Sequence, residues 1–230
     1  CETLGLWMPS DDVLLEGVMH ALRESESTEI ATVAKIIITA GEGSRGYGRI
    51  GNTSPSTLFA VFPAAPYQAA AYRDGIDLAL CRTRLAVGSV TAGLKTLNRL
   101  EQVLARTEFA ETELIEGLTM DADDNIICGT MSNVFFIKDR MIHTPSLDRC
   151  GVEGVMRRHV IACLEEQSIA TNIRRIKITE MNDFDEVFIS NSQFGVLPVR
   201  RCADARWEVA DRTREVMSVM AANGVVECRS

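Results

Sequence analysis

The sequence has no surplus of basic residues. Its 24 lysines and arginines are outnumbered by 32 aspartates and glutamates, giving a net charge of -8 and a pI near 5.0. A nucleic-acid backbone or an anionic membrane would select the opposite balance, so neither is expected as a partner. No apolar run approaches the ~20 residues needed to span a bilayer. The seven cysteines, Cys1, Cys81, Cys128, Cys150, Cys163, Cys202 and Cys228, are odd in number and contain no C-x-x-C pair. That suits thiols in a reducing cytosol better than a disulfide framework or a zinc site, and a cytoplasmic location is expected. His20, His143 and His159 are not at ligand spacing, so no metal is expected. The sequence has no internal repeat and no low-complexity segment. With neither a methionine nor a signal-like stretch at Cys1, an upstream piece is expected to precede it.

A hydrophobic content of 46% over 230 residues is ample for one large domain or two small ones. In "KIIITAGEGSRGYGRIGNTSPS", residues 35–56, GEGSRG matches the G-x-G-x-x-G spacing of dinucleotide-binding loops. The spacing has mechanical content only between a strand and a helix whose first amides face the phosphate. Val33, Ile36, Ile37 and Ile38 supply the strand. After Gly46, however, the glycines and turn formers up to Pro55 cannot propagate a helix. A long hairpin loop is expected instead.

Ser10 caps an expected helix in "SDDVLLEGVMHALRES", with Asp11 and Asp12 at its positive end and Leu14, Leu15, Val18 and Leu22 on one stripe. With strands at 31–39, 57–62 and 75–83, it is expected to build a smaller α+β domain over residues 1–84. "RLAVGSVTAG" loses periodicity, and residues 85–93 are expected to be the interdomain linker. Residues 94–230 then read as a larger mixed α/β domain. It opens with a helix in "LNRLEQVLARTEF", with Leu97, Leu100, Val103 and Leu104 on one face and charges on the other. Strands follow in "ELIEGLTMD", "IIC", "NVFFIK" and "MIHTP", then a helix in "VEGVMRRHVIACLEEQ". Strands in "RRIKITEM" and "EVFISNS" precede a closing helix ended by Gly224.

Three stretches have chemical potential. Lys95 lies where the linker meets a helix, flanked by Leu94 and Leu97, a setting in which an amine is suited to Schiff-base chemistry; the stretch alone reads more simply as an exposed lysine. Gly151 and Gly154 flank a turn into a helix, leaving the amides of Val155 and Met156 as donors at a positive dipole end where a phosphate would fit. An ordinary glycine-rich turn explains the same residues. "CGTMSNVFF" places small and polar residues between strands, where backbone can approach a flat ligand or simply form a bulge.

Together "AGLKTLNRLEQVLAR", "GTMSNVFFIKDRMIHTPSLDRCGVEGVMRR" and "VFISNSQFGVLPV" resemble the 4-amino-4-deoxychorismate lyases. These belong to the fold-type IV pyridoxal phosphate enzymes, with the branched-chain and D-amino acid aminotransferases. The resemblance runs from about Lys35 to Val199, and the Lys-x-Leu-Asn-Arg-Leu-Glu segment favours the lyases. It implies two domains joined by a short linker, a homodimer, and a carbon–carbon lyase that makes 4-aminobenzoate and pyruvate for folate synthesis. It further implies that Lys95 carries the cofactor and moves the substrate proton. Val155 and Met156 would bind the cofactor phosphate through their amides, and Ser192 through its hydroxyl. Arg99 falls where aminotransferases have a tyrosine near the cofactor's phenolic oxygen. Arg45 and Tyr47 would meet substrate carboxylates.

Two departures accompany the resemblance. Relatives place a glutamate against the pyridine nitrogen, where this sequence has Cys128, a poorer partner that weakens the ring as an electron sink. That counts more against an aminotransferase than against a lyase whose product gains an aromatic ring. Relatives also begin with a segment bearing a phosphate-binding arginine, which this sequence lacks. Besides the aminotransferases, a catalytically inactive homologue that only binds stands as an alternative.

Overall fold

A computed structural model describes residues 1–25, 32–43, 46, 48, 54–64 and 67–229. The chain forms two compact units, Cys1–Pro66 and Tyr67–Ser230. In the first, helix α1 (Asp11–Glu24) starts at Ser10, whose hydroxyl accepts from the Val13 amide at 3.4 Å. Strands β1 (Thr32–Thr39) and β2 (Ser56–Pro63) pair antiparallel from Thr32 opposite Pro63 to Thr39 opposite Ser56. Much of the glycine-rich stretch between these strands, residues 44–45, 47 and 49–53, lies outside the described residues. Gly17 lets α1 approach this hairpin: a Cβ there would lie 2.2 Å from the Phe59 ring.

The second unit opens with helix α2 (Ala69–Asp74) and strand β3 (Ile76–Leu85). Helix α3 (Leu100–Thr107) precedes strands β4 (Gly117–Asp121), β5 (Asn125–Gly129), β6 (Asn133–Lys138) and β7 (Met141–Pro145). Helix α4 (Val155–Glu166) is followed by β8 (Thr171–Arg174), β9 (Ile176–Lys177), β10 (Glu186–Asn191), β11 (Gly195–Cys202) and β12 (Ala205–Arg206), then helix α5 (Asp211–Ala222). The strands form one mixed sheet in the order β8-β7-β6-β10-β11-β3-β4-β5-β9, with β12 beside β11.

The units divide earlier in the chain than the expected linker at 85–93, and β3 is the physical reason. It runs parallel to both β11 and β4, so its partners lie more than thirty residues away and it is central to the larger sheet. Residues 86–93 also belong to this unit, with Gly88 donating to the Arg149 carbonyl at 3.0 Å. The expected strand "RRIKITEM" is two short strands, broken at Arg175 and followed by a 3₁₀ turn over Ile178–Asp183.

Core packing centres on β6, β10 and β11. Phe135 and Phe188 sit opposite each other in the register and stack at 4.6 Å, an arrangement worth about 0.5–1.5 kcal/mol beyond simple burial. Val160 and Leu164 of α4 and Val216 and Met220 of α5 join the same buried cluster.

Helix α3 turns its apolar stripe outward. Leu97 and Leu100 are 67% and 70% exposed, and Val103 and Leu104 are also exposed. Its acidic side faces the sheet instead. The β3–β4 register breaks between Leu80 and Arg84, and the Glu108 carboxylate accepts from the Arg82 and Thr83 amides at 2.7 and 2.8 Å. Glu101 accepts from the Ala86 amide at 2.9 Å. Amides that the sheet leaves unpaired need acceptors, and that requirement outranks helix amphipathicity. No described helix is long and apolar enough to cross a membrane.

Candidate active site

The chain leading to Lys95 is tied to the chain leading into α4. Gly93 and Val152 form a parallel bridge, Gly93 donates to the Gly151 carbonyl at 3.1 Å, and Glu153 donates to the Gly93 carbonyl at 2.8 Å. Neighbouring chains so paired lie about 4.8 Å apart. Lys95, which is exposed, lies two residues beyond this junction, and α4 starts three residues beyond it. Gly93 makes the turn at a φ of 79°, a left-handed value that favours glycine.

Helix α4 is anchored before it begins. The Asn133 side chain donates to the Val152 carbonyl at 2.8 Å and accepts from the Gly154 amide at 3.1 Å. The buried Arg157 guanidinium reaches the Pro145 carbonyl at 3.1 Å, the Thr144 hydroxyl at 3.3 Å and the Glu153 carboxylate at 3.3 Å. The first ladder bond runs from the Arg158 amide to the Gly154 carbonyl. The amides of Val155 and Met156 precede it and have no acceptor among the described residues. Val155 is 68% exposed, so the positive end of α4 is open to a ligand. Ser190 lies opposite Asn133 in the β6–β10 register and shares its sheet face, and its buried hydroxyl has no partner among the described residues.

Cys128 lies beneath this junction, in a small cluster with Leu85, Ile127, Leu147 and Cys150. Burial pushes its thiol up to about 11, outweighing the Thr119 hydroxyl, the Val152 amide and the Arg99 charge, all of which favour the thiolate. It is a neutral thiol at physiological pH. Arg99 is half-buried, and its side chain bonds to Leu94 and Thr96. Ser192 is exposed in the turn between β10 and β11, which Asn191 fastens to the Met131 carbonyl at 3.3 Å. The structure thus gathers Lys95, Arg99, Cys128, Val155 and Met156 around one junction, with Ser192 on the turn beside the 129–132 loop. Arg45 and Tyr47 lie outside the described residues.

Two residues that the sequence does not flag build this site. Asn133 is one, which the sequence offers only as one of the polar residues in "CGTMSNVFF". Glu116 is the other. Its fully buried carboxylate accepts from the amides of Gly117, Thr130 and Met131 and the hydroxyls of Thr130 and Ser132 at 2.6–3.1 Å. It thereby fixes the loop between Cys128 and Asn133.

Comparison with known proteins matches residues 1–202 to the class IV aminotransferase family model. The chain belongs to that family. The class IV chain is 36% identical over 197 residues to an aminodeoxychorismate lyase of Vibrio harveyi, covering 86% of this chain and 71% of that one. It is similar to the crystal structure of 4-amino-4-deoxychorismate lyase from Pseudomonas aeruginosa, with a TM-score of 0.86 at 36% identity, over 97% of this chain and 81% of that chain. The branched-chain aminotransferase of Escherichia coli shares the fold at a TM-score of 0.83 and 22% identity, over 98% of this chain and 76% of that chain. The mixed α/β architecture is that of the fold-type IV enzymes, as the sequence resemblance implied.

Proposed function

We propose that the chain is a pyridoxal phosphate-dependent aminodeoxychorismate lyase, which converts 4-amino-4-deoxychorismate to 4-aminobenzoate and pyruvate in folate synthesis. The observation that carries this reading is the junction of Gly93 with Val152, which sets an exposed lysine beside an open helix N-terminus. The donor set fits the cofactor: two free amides at a positive helix end for the phosphate, an unpartnered Ser190 hydroxyl on the adjoining strand, and an amine nearby for covalent attachment.

When bound, the cofactor would supply a ring that accepts the electrons released at the substrate carbon. Val155 and Met156 would hold its phosphate, with Ser192 adding a hydroxyl from the neighbouring turn. Lys95 would carry the cofactor, give way to the substrate amine, and then take the proton from the ring carbon and return one to the departing group. Cys128 would face the pyridine nitrogen as a neutral thiol, which leaves the ring a weaker sink. A reaction that forms an aromatic ring tolerates this better than amino transfer does. Arg45 and Tyr47 would meet the substrate carboxylates.

The exposed stripe of Leu97, Leu100, Val103 and Leu104 supports a homodimer that covers this face. The free state of all seven cysteines, six of them buried, suits a cytoplasmic location.

Offering the protein 4-amino-4-deoxychorismate beside branched-chain and D-amino acids, with pyridoxal phosphate, tests the reading. Release of 4-aminobenzoate and pyruvate, without formation of 2-oxo acids from the amino acids, is the expected result. Conversion of the amino acids alone would replace the lyase with an aminotransferase. No turnover of either would leave a binding protein.

A further inference from the structure

Every bond described for the Arg99 side chain goes to the chain around Lys95. Nε donates to the Thr96 carbonyl at 3.1 Å, and Nη2 donates to the Leu94 carbonyl at 3.1 Å and the Thr96 hydroxyl at 3.2 Å. Leu94 and Thr96 are the residues on either side of Lys95. Residues 95–98 themselves lie in no helix or strand and take part in no described backbone–backbone hydrogen bond. A lysine on such a segment would sample several backbone wells, and each capture of a ligand would have to order it. A guanidinium is a planar fork with donors in fixed directions, suited to holding two acceptors at once. An ammonium has no such fork.

We infer that Arg99 is a positioning residue: its guanidinium clamps the chain on both sides of Lys95 and aims the lysine amine toward the open end of α4. The inference rests on the reading of Lys95 as the residue that carries the cofactor. The anchoring is two-sided. Upstream, the Gly93 junction holds the chain as it arrives, with the Leu94 amide bonded to the Thr91 carbonyl at 3.0 Å. Downstream, the Arg99 carbonyl receives the Val103 amide at 3.0 Å, so the clamp is itself rooted in the first turn of α3.

The test measures capture rather than turnover. Protein is mixed with pyridoxal 5'-phosphate, quenched at intervals with borohydride, and the modified lysine is located by peptide mass. The amine condenses with the aldehyde with loss of water, and borohydride supplies the hydride that makes the carbon–nitrogen bond permanent. In Arg99→Ala and Arg99→Lys, modification of Lys95 is expected to slow by about 10–100-fold, the order of effect that small misplacement of a reacting group produces. Added guanidinium ion should restore the Ala variant and ammonium should not, a response that general loosening of the fold would not give. Arg99→Lys provides the comparison should the Ala variant fail to fold. Wild-type rates at Lys95 in both variants, or absence of guanidinium rescue, would overturn the clamp while leaving Lys95 in its role. Modification of the wild-type protein at a different lysine would overturn the role of Lys95, and the clamp with it.

Discussion

Gly93 and Val152 are parallel β-partners, held by a 3.1 Å bond from Gly93 to Gly151 and a 2.8 Å bond from Glu153 to Gly93. Chain segments some sixty residues apart in sequence are thereby locked side by side just before each delivers a functional group.

Gly93→Ala should disturb this junction through backbone conformation alone. A Cβ there would meet nothing closer than 3.8 Å, but φ is 79°, and left-handed backbone costs a non-glycine residue about 1–2 kcal/mol. Urea unfolding should show a loss of about 1 kcal/mol, together with slower cofactor capture at Lys95. Undiminished capture would mean that the junction does not set the lysine.

Glu116→Gln replaces one acceptor oxygen by an amide donor inside a cradle made entirely of donors. At least one of the five bonds to the carboxylate is lost and a buried donor faces others, for an expected destabilisation of about 3 kcal/mol. Equilibrium denaturation measures it, and a change below 1 kcal/mol, about the size of one ordinary net hydrogen bond, would contradict the role assigned to the carboxylate.

Acid should loosen the packing of α3 on β3. Burial opposes ionisation of Glu108, but the Thr83 hydroxyl and the Arg82 and Thr83 amides outweigh it and pull the carboxyl down to about 2. A folded-state pKa below the unfolded value stabilises the fold above the unfolded value, and that contribution fades as pH falls from about 4.5 toward 2. Glu108→Gln should be less stable than wild type at neutral pH, and the difference should shrink across that window. A pH-independent difference would contradict the assignment.

Thiol titration of the native protein should find one rapidly reacting cysteine, Cys1, and all seven after unfolding. Burial pushes Cys128 up to about 11 and Cys81, Cys150 and Cys202 up to about 12. At pH 8 about one Cys128 in a thousand would be thiolate. Fast native labelling of Cys128 would contradict the neutral, enclosed thiol.

What could be read from the sequence was local. The Ser10 cap acts over three residues, and the glycine turn into α4 announces a helix start in its own neighbourhood. The apolar runs of β6 and β10 similarly identify themselves. What could not be read depends on distant partners. β3 looks like the third strand of a small unit because its neighbours in the sheet, β4 and β11, come much later in the chain. Glu116 looks like any acid beside a strand, since its five donors include residues fourteen to sixteen positions away. The stripe on α3 shows which residues share a face but not what covers it, and the unpaired amides of β3 claim the acidic side. Lys95 and Val155 could each be singled out, but their approach depends on Gly93 meeting Val152, which no local pattern encodes.

The most direct test of the account is release of 4-aminobenzoate from 4-amino-4-deoxychorismate by wild-type protein and Lys95→Ala, each supplied with pyridoxal phosphate. Lys95-dependent release is expected, with the variant slower by about 10²–10⁴-fold, the contribution typical of a positioned acid–base group. No release by wild type, or equal release by the variant, would contradict it.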